Sequence, residues 1–83
     1  MKLFKKTEAY AIFADRSDMN KVWSLAYLLS SNDAVEEIKT EDKYVVIFVT
    51  RLERAAVGKE LRRVFGKTHR IHIRNRFVVL CKL

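Results

Sequence analysis

Apolar residues change their spacing several times along this chain, and each change predicts an element. Thr7 to Ala14, TEAYAIFA, gathers Tyr10, Ile12 and Phe13 into a run suited to a strand buried on much of both faces. Asp15-Arg16-Ser17 breaks that run. From Asp18 to Ser30, the residues Met19, Val22, Leu25, Ala26 and Leu29 make one helical stripe. Trp23 and Tyr27 lie beside it, four apart and within reach of each other. Ser17 stands where its hydroxyl can accept from a free amide of the first turn, and Asp18 suits the positive end of the helix dipole. Ser30-Ser31-Asn32-Asp33 closes the helix.

Val35 to Thr40 is shorter and more polar and reads as an edge strand. Glu41-Asp42 turns it back into Lys43–Thr50, KYVVIFVT, which is apolar on both faces and therefore interior to a sheet. Leu52 to Phe65 predicts a second helix, with Val57, Leu61, Val64 and Phe65 on one side and Lys59, Glu60, Arg62 and Arg63 away from it. Gly66 stands where a left-handed residue commonly ends a helix. Gly58 costs that helix up to about 1 kcal/mol relative to Ala, and marks a point of close approach to the sheet or to a partner.

In the last stretch His69, Ile71 and Ile73 alternate with Arg70, His72 and Arg74, giving one apolar and one basic face. Phe77 to Cys81, FVVLC, follows as a buried strand. A single strand from 69 to 82 would span about 46 Å at 3.3 Å per residue, too long for so small a domain. A hairpin or sharp bend is expected near Asn75, a residue that tolerates the left-handed region.

With two glycines and no proline, linker or repeat, residues 1–83 read as one α+β domain. Strand, helix, strand, strand, helix, strand, with an extra C-terminal strand, is the order of a ferredoxin-like plait, with two helices on one face of a mainly antiparallel sheet. Without Val35–Thr40 as a strand, the order becomes β-α-β-α-β-β, which resembles the Alba-type chromatin domain. The plait order also resembles the RNA-recognition motif, in which aromatic residues of the two central strands stack on bases. On that resemblance Tyr10, Tyr44 and Phe48 would be the stacking residues, with Lys43 in the place of the basic residue that opens the family's signature. The signature's glycines are absent, and Val45-Val46-Ile47 replaces its Gly/Phe pattern. Read without the resemblance, Phe48 is core and Tyr44 ends a strand.

Charge adds a direction. Residues 1–42 hold six basic and eight acidic residues; residues 43–83 hold eleven basic and two acidic, net +9. Such segregation makes a local positive field that draws polyanions. Lys59, Arg62, Arg63, Lys67, Arg70, His72, Arg74 and Arg76 are the candidate phosphate contacts, and their arginines suit phosphate through the planar guanidinium fork. Arg70, His72 and Arg74 share a strand face that must meet solvent or a partner, because unpaired buried charge is costly.

Enzyme chemistry finds little support, and no cofactor or metal is expected. His69 and His72 point to opposite faces of a strand, Cys81 is the lone cysteine and reads as a core thiol, and no phosphate-cradling glycine loop is present. Small plait-fold hydrolases such as acylphosphatase need a glycine-bearing anion loop, which Asp15–Ser17 does not supply. Tyr10 to Leu29 resembles the small plait-fold subunits of CRISPR adaptation complexes, where an aspartate ends the first strand, the place of Asp15. A carboxylate there reads first as a helix cap. The lone cysteine, the basic start Met1–Lys6 without an apolar signal segment, and the lack of a long apolar run predict a cytoplasmic protein with no membrane association. Its expected partner is nucleic acid, DNA or RNA. The alternative is a protein-interaction module, a small regulator or inhibitor of phage or mobile-element type. It would grip an acidic protein partner, offer the Val35–Thr40 edge for strand addition, or pair its acidic hairpin with a basic half as a homodimer.

Overall fold

The computed structural model describes residues 6–30 and 34–83. The remainder of the basic start, Met1–Lys5, and the helix-closing Ser31–Asp33 lie outside the described residues. The order is β1 (Thr7–Asp15), a 3-10 turn (Arg16–Asp18), α1 (Met19–Leu29), β2 (Val35–Thr40), β3 (Tyr44–Glu53), α2 (Arg54–Phe65), β4 (His69–Arg74) and β5 (Phe77–Lys82). Val35–Thr40 is thus a strand, so the Alba-like order does not apply.

The five strands form one mixed sheet in the order β2-β3-β1-β5-β4. β3 pairs antiparallel with both β1 and β2, β5 pairs parallel with β1, and β4 pairs antiparallel with β5. The strand returning from α2 does not lie beside β1. It runs at the sheet edge, and the two residues Asn75 and Arg76 fold β5 back into the place between them. Asn75 makes this turn at φ 55°, the left-handed conformation its short polar side chain accepts.

The core lies on one side of the sheet. Tyr10, Ile12 and Ala14 of β1, Val45, Ile47 and Val49 of β3, and Val78 and Leu80 of β5 are buried with Val22, Leu25 and Leu29 of α1 and Val57, Leu61 and Phe65 of α2. The helical stripes therefore fall where the spacing put them, and Trp23 and Tyr27 stand outside the core as exposed side chains. β5 is not buried throughout: Val78 and Leu80 are core, while Phe77, Val79 and Cys81 alternate outward and are exposed.

Boundaries differ where local geometry intervenes. β3 passes the expected end at Thr50 through a bulge, with Arg51 at φ 57°, and Leu52 then pairs with Glu8 and is buried. α2 consequently starts at Arg54. Gly66 ends α2 at φ −59°, right-handed rather than left-handed, with its amide still donating to the Arg62 carbonyl. Ser17 is not the cap of α1. Its amide donates instead to the Asp15 carboxylate at 2.9 Å, so Asp15 caps the turn. Gly58 is buried, but the atom closest to the position of its missing Cβ is the Arg62 guanidinium rather than the sheet.

Asp18 does more than face a helix end. It is buried and its Oδ2 lies 2.8 Å from His69 Nε2, tying the start of α1 to the start of β4. With Nε2–H donating to the carboxylate, Nδ1 accepts from the Thr68 hydroxyl at 2.7 Å, and that oxygen accepts from Lys21 Nζ at 2.8 Å. The Phe65 ring meets the imidazole edge-on at 4.9 Å, and Lys82 Nζ sits 3.8 Å from Asp18 Oδ1. His69→Ala leaves this buried carboxylate without its nearest donor, so the variant is expected to lose about 1–3 kcal/mol of stability. Urea unfolding measures it; an unchanged midpoint would show that the pair carries no stability.

Candidate nucleic-acid interface

Because both helices cover one side, the register of the sheet assigns every other residue to the opposite, open side. Three rows cross it. Glu37, Phe48, Ala11, Phe77 and Arg74 form the first, and Lys39, Val46, Phe13, Val79 and His72 the second. Tyr44 and Asp15 continue the third, with Cys81 and Arg70 on the other flank. The middle of the face is apolar and its β4 margin is basic.

The rings are grouped. Phe13 and Phe77 are stacked with centroids 6.4 Å apart and planes 27° from parallel, and Phe13 meets Tyr44 at 6.0 Å. Phe77 is 58% exposed, Tyr44 44% and Val79 43%, values at odds with a core and apt for a contact surface. Between Phe13, Tyr44, Val79 and Cys81 lies a shallow depression of about 340 Å³ that opens to solvent.

Sequence parity misplaced two of these groups. Tyr10, expected among the outward aromatics, faces the helices at 3% exposure, and Phe13 takes the outward position on β1. Cys81, expected in the core, is exposed. Phe48 is half-buried on the open face and Tyr44 is exposed there. The alternation of β5 was available from the sequence, but FVVLC contains no polar residue to show which side meets water.

The eight candidate cations divide between two surfaces. Arg70, His72 and Arg74 project from β4 on the open face and are exposed. Lys59, Arg62 and Arg63 belong to α2, on the opposite layer; Arg62 lines a groove with Gly58, Gly66, His69, Ile71 and Ile73, and Arg63 lies 3.7 Å from Glu60. Lys67 follows α2 and is exposed. Arg76, at the hairpin, is held by Glu8 at 3.0 Å. Among the described residues, Lys59, Arg62, Lys67, Arg70, His72 and Arg74 form no ion pair.

At the far end of the face, the Ser17 amide and then the Ser17 hydroxyl hold the Asp15 carboxyl below the usual carboxylate range, with Lys82 adding to the effect. That carboxylate is engaged in capping, and Asp18 is engaged by His69, so neither stands as an isolated acid.

No family model, curated protein or solved structure matches this chain. The physical layout of the face therefore carries the functional reading alone.

Since Cys81 stands in the open, a thiol reagent should modify it in the folded protein at a rate close to that in denaturant. Strong protection in the native state would place the sulfur back inside.

Proposed function

We propose that the protein binds nucleic acid on the open face of its sheet, single strands in preference to duplex. One observation supports this above the rest: Arg70 and Arg74 project from the same side of the sheet as the exposed Phe77 and Tyr44 rings and the half-buried Phe13 between them. A single strand needs that pair of features. Its bases stack on aromatic faces and its phosphates meet cations along a margin, and neither requires sequence-specific hydrogen bonds. The guanidinium forks of Arg70 and Arg74 suit phosphate oxygens, and the His72 ring between them offers a further hydrogen-bonding group.

On this reading, the cations split by role. Arg70, His72 and Arg74 contact the backbone. Lys59, Arg62, Arg63 and Lys67, on or beyond the helix layer, contribute the long-range field that speeds encounter. The resemblance to RNA-recognition modules enters only as a shared arrangement, outward rings on an uncovered sheet, with Phe13 rather than Tyr10 on the first strand. β5, beside β1, is parallel to it and β4 lies at the edge, so the plait is matched in element sequence and not in strand order.

The second reading is a protein-docking face, and the exposed apolar Phe77 and Val79 favour it as much as they favour bases. Salt separates the two. Two arginine–phosphate contacts on a single strand, from Arg70 and Arg74, give a slope of log K against log salt of about −1.4.

Fluorescence titration with labelled single- and double-stranded oligonucleotides across salt is the test. We expect tighter binding of the single strand, a slope of about −1.4, and a loss of about 1–3 kcal/mol for Phe77→Ala, the value of one stacked base. Arg70→Ala with Arg74→Ala should flatten the slope without lowering the thermal midpoint. Absence of binding at low salt, or affinity indifferent to both sets of substitutions, would overturn the proposal.

A further inference from the structure

The two edges of the sheet carry opposite charge. β2, at one edge, presents Glu37 and Lys39 on the open face, and Glu41 continues the same alternation into the hairpin, leaving a net negative margin. β4, at the other, presents Arg70 and Arg74. Charged residues usually guard an edge strand against pairing with another chain. Guards of opposite sign do not guard against each other.

The strand directions allow the two edges to meet. β2 and β3 are antiparallel, β3 and β1 antiparallel, β1 and β5 parallel, β5 and β4 antiparallel. β2 and β4 therefore run in opposite directions. A second copy laid alongside with the same face up brings its β2 antiparallel to β4, and the sheet continues without a break.

Backbone parity agrees. Leu83 N–H donates to the Thr68 carbonyl, so Arg70, His72 and Arg74 direct their amides and carbonyls to β5, and Ile71 and Ile73 direct theirs outward. Glu41 N–H donates to the Tyr44 carbonyl, so Lys39 and Glu37 bond toward β3, and Ile38 and Thr40 face outward. Setting Ile73 against Ile38 and Ile71 against Thr40 matches outward groups with outward groups. The same register sets Arg74 against Glu37 and Arg70 against Glu41, with His72 opposite Lys39. Sliding by two residues in one direction brings Arg74 against Lys39, and in the other brings Arg70 against Lys39, both like-charged pairs that destabilise. On the helix side, Ile38 would enter the groove of about 500 Å³ bounded by Gly58, Arg62, Ile71 and Ile73.

From this register we infer that the occupant of the β4 edge is the β2 edge of a second copy of this chain. Pairing β4 with β4 would set arginine strands against each other, so a two-fold dimer through that edge is disfavoured. On β2, Lys39 stands between Glu37 and Glu41, and a two-fold pairing through β2, which would stop at two copies, is the competing outcome that sedimentation velocity reads. The contact is head-to-tail: each copy added leaves a new β4 free, and the assembly grows until twist closes a ring or it extends as a filament. The open faces of successive copies line up along it. Arg70 and Arg74 serve either a neighbour's carboxylates or a phosphate, so the inference stands apart from nucleic-acid binding and is tested without it.

Sedimentation velocity of the nucleic-acid-free protein over a wide concentration range reads the result. Wild-type protein should pass beyond a dimer as concentration rises and return toward monomer as salt increases. Glu37→Arg with Glu41→Arg, and separately Arg70→Glu with Arg74→Glu, should each be monomeric while keeping the wild-type circular dichroism. Mixing the two variants should restore large species, because each then offers the edge the other lacks. A wild-type monomer at every concentration, a dimer that stops at two, or a mixture that stays monomeric would overturn the inference.

Discussion

β1 holds β3 antiparallel on one side and β5 parallel on the other, and the second pairing sets most of what the molecule displays. Had the strand after α2 gone directly beside β1, its arginines would have stood nearer the middle of the sheet. Instead the Asn75-Arg76 turn carries the chain back, β5 fills the interior position, and β4 is left at the margin. The apolar strand supplies packing where both neighbours are strands. The strand with alternating arginine takes the position where one side is solvent.

That arrangement has a consequence for the face opposite the helices. An interior strand of alternating character buries one set of side chains, here Val78 and Leu80, and must leave the other set outside. In β5 the other set is Phe77, Val79 and Cys81. With Phe13 and Tyr44 across the strands they make an apolar centre with a cationic border. Such a surface costs free energy while it stays wet, and a ligand with flat apolar faces and a charged backbone relieves that cost more fully than water does.

Much of the fold was readable from spacing. The two helical stripes, the two-faced apolar run at Tyr44–Val49, the polar edge strand at Val35–Thr40 and the turn at Asn75 all lie where periodicity and turn chemistry placed them. Three things were not readable. The insertion of β5 beside β1 depends on which long-range pairing buries more, and no local pattern records it. The side on which Tyr10 or Phe13 faces depends on where the helices pack, since β1 is apolar at both parities. The basic candidates looked like one group because they are close in sequence, yet Arg70, His72 and Arg74 leave the sheet on the side away from Lys59 and Arg63.

The most direct test of this account is an NMR titration of isotope-labelled protein with a short single-stranded oligonucleotide, followed amide by amide. The account predicts shifts gathered on residues 11–13, 44–48, 70–74 and 77–81, with Lys59 and Arg63 unmoved. Shifts confined to α2, or spread evenly over every exposed cation, would contradict it.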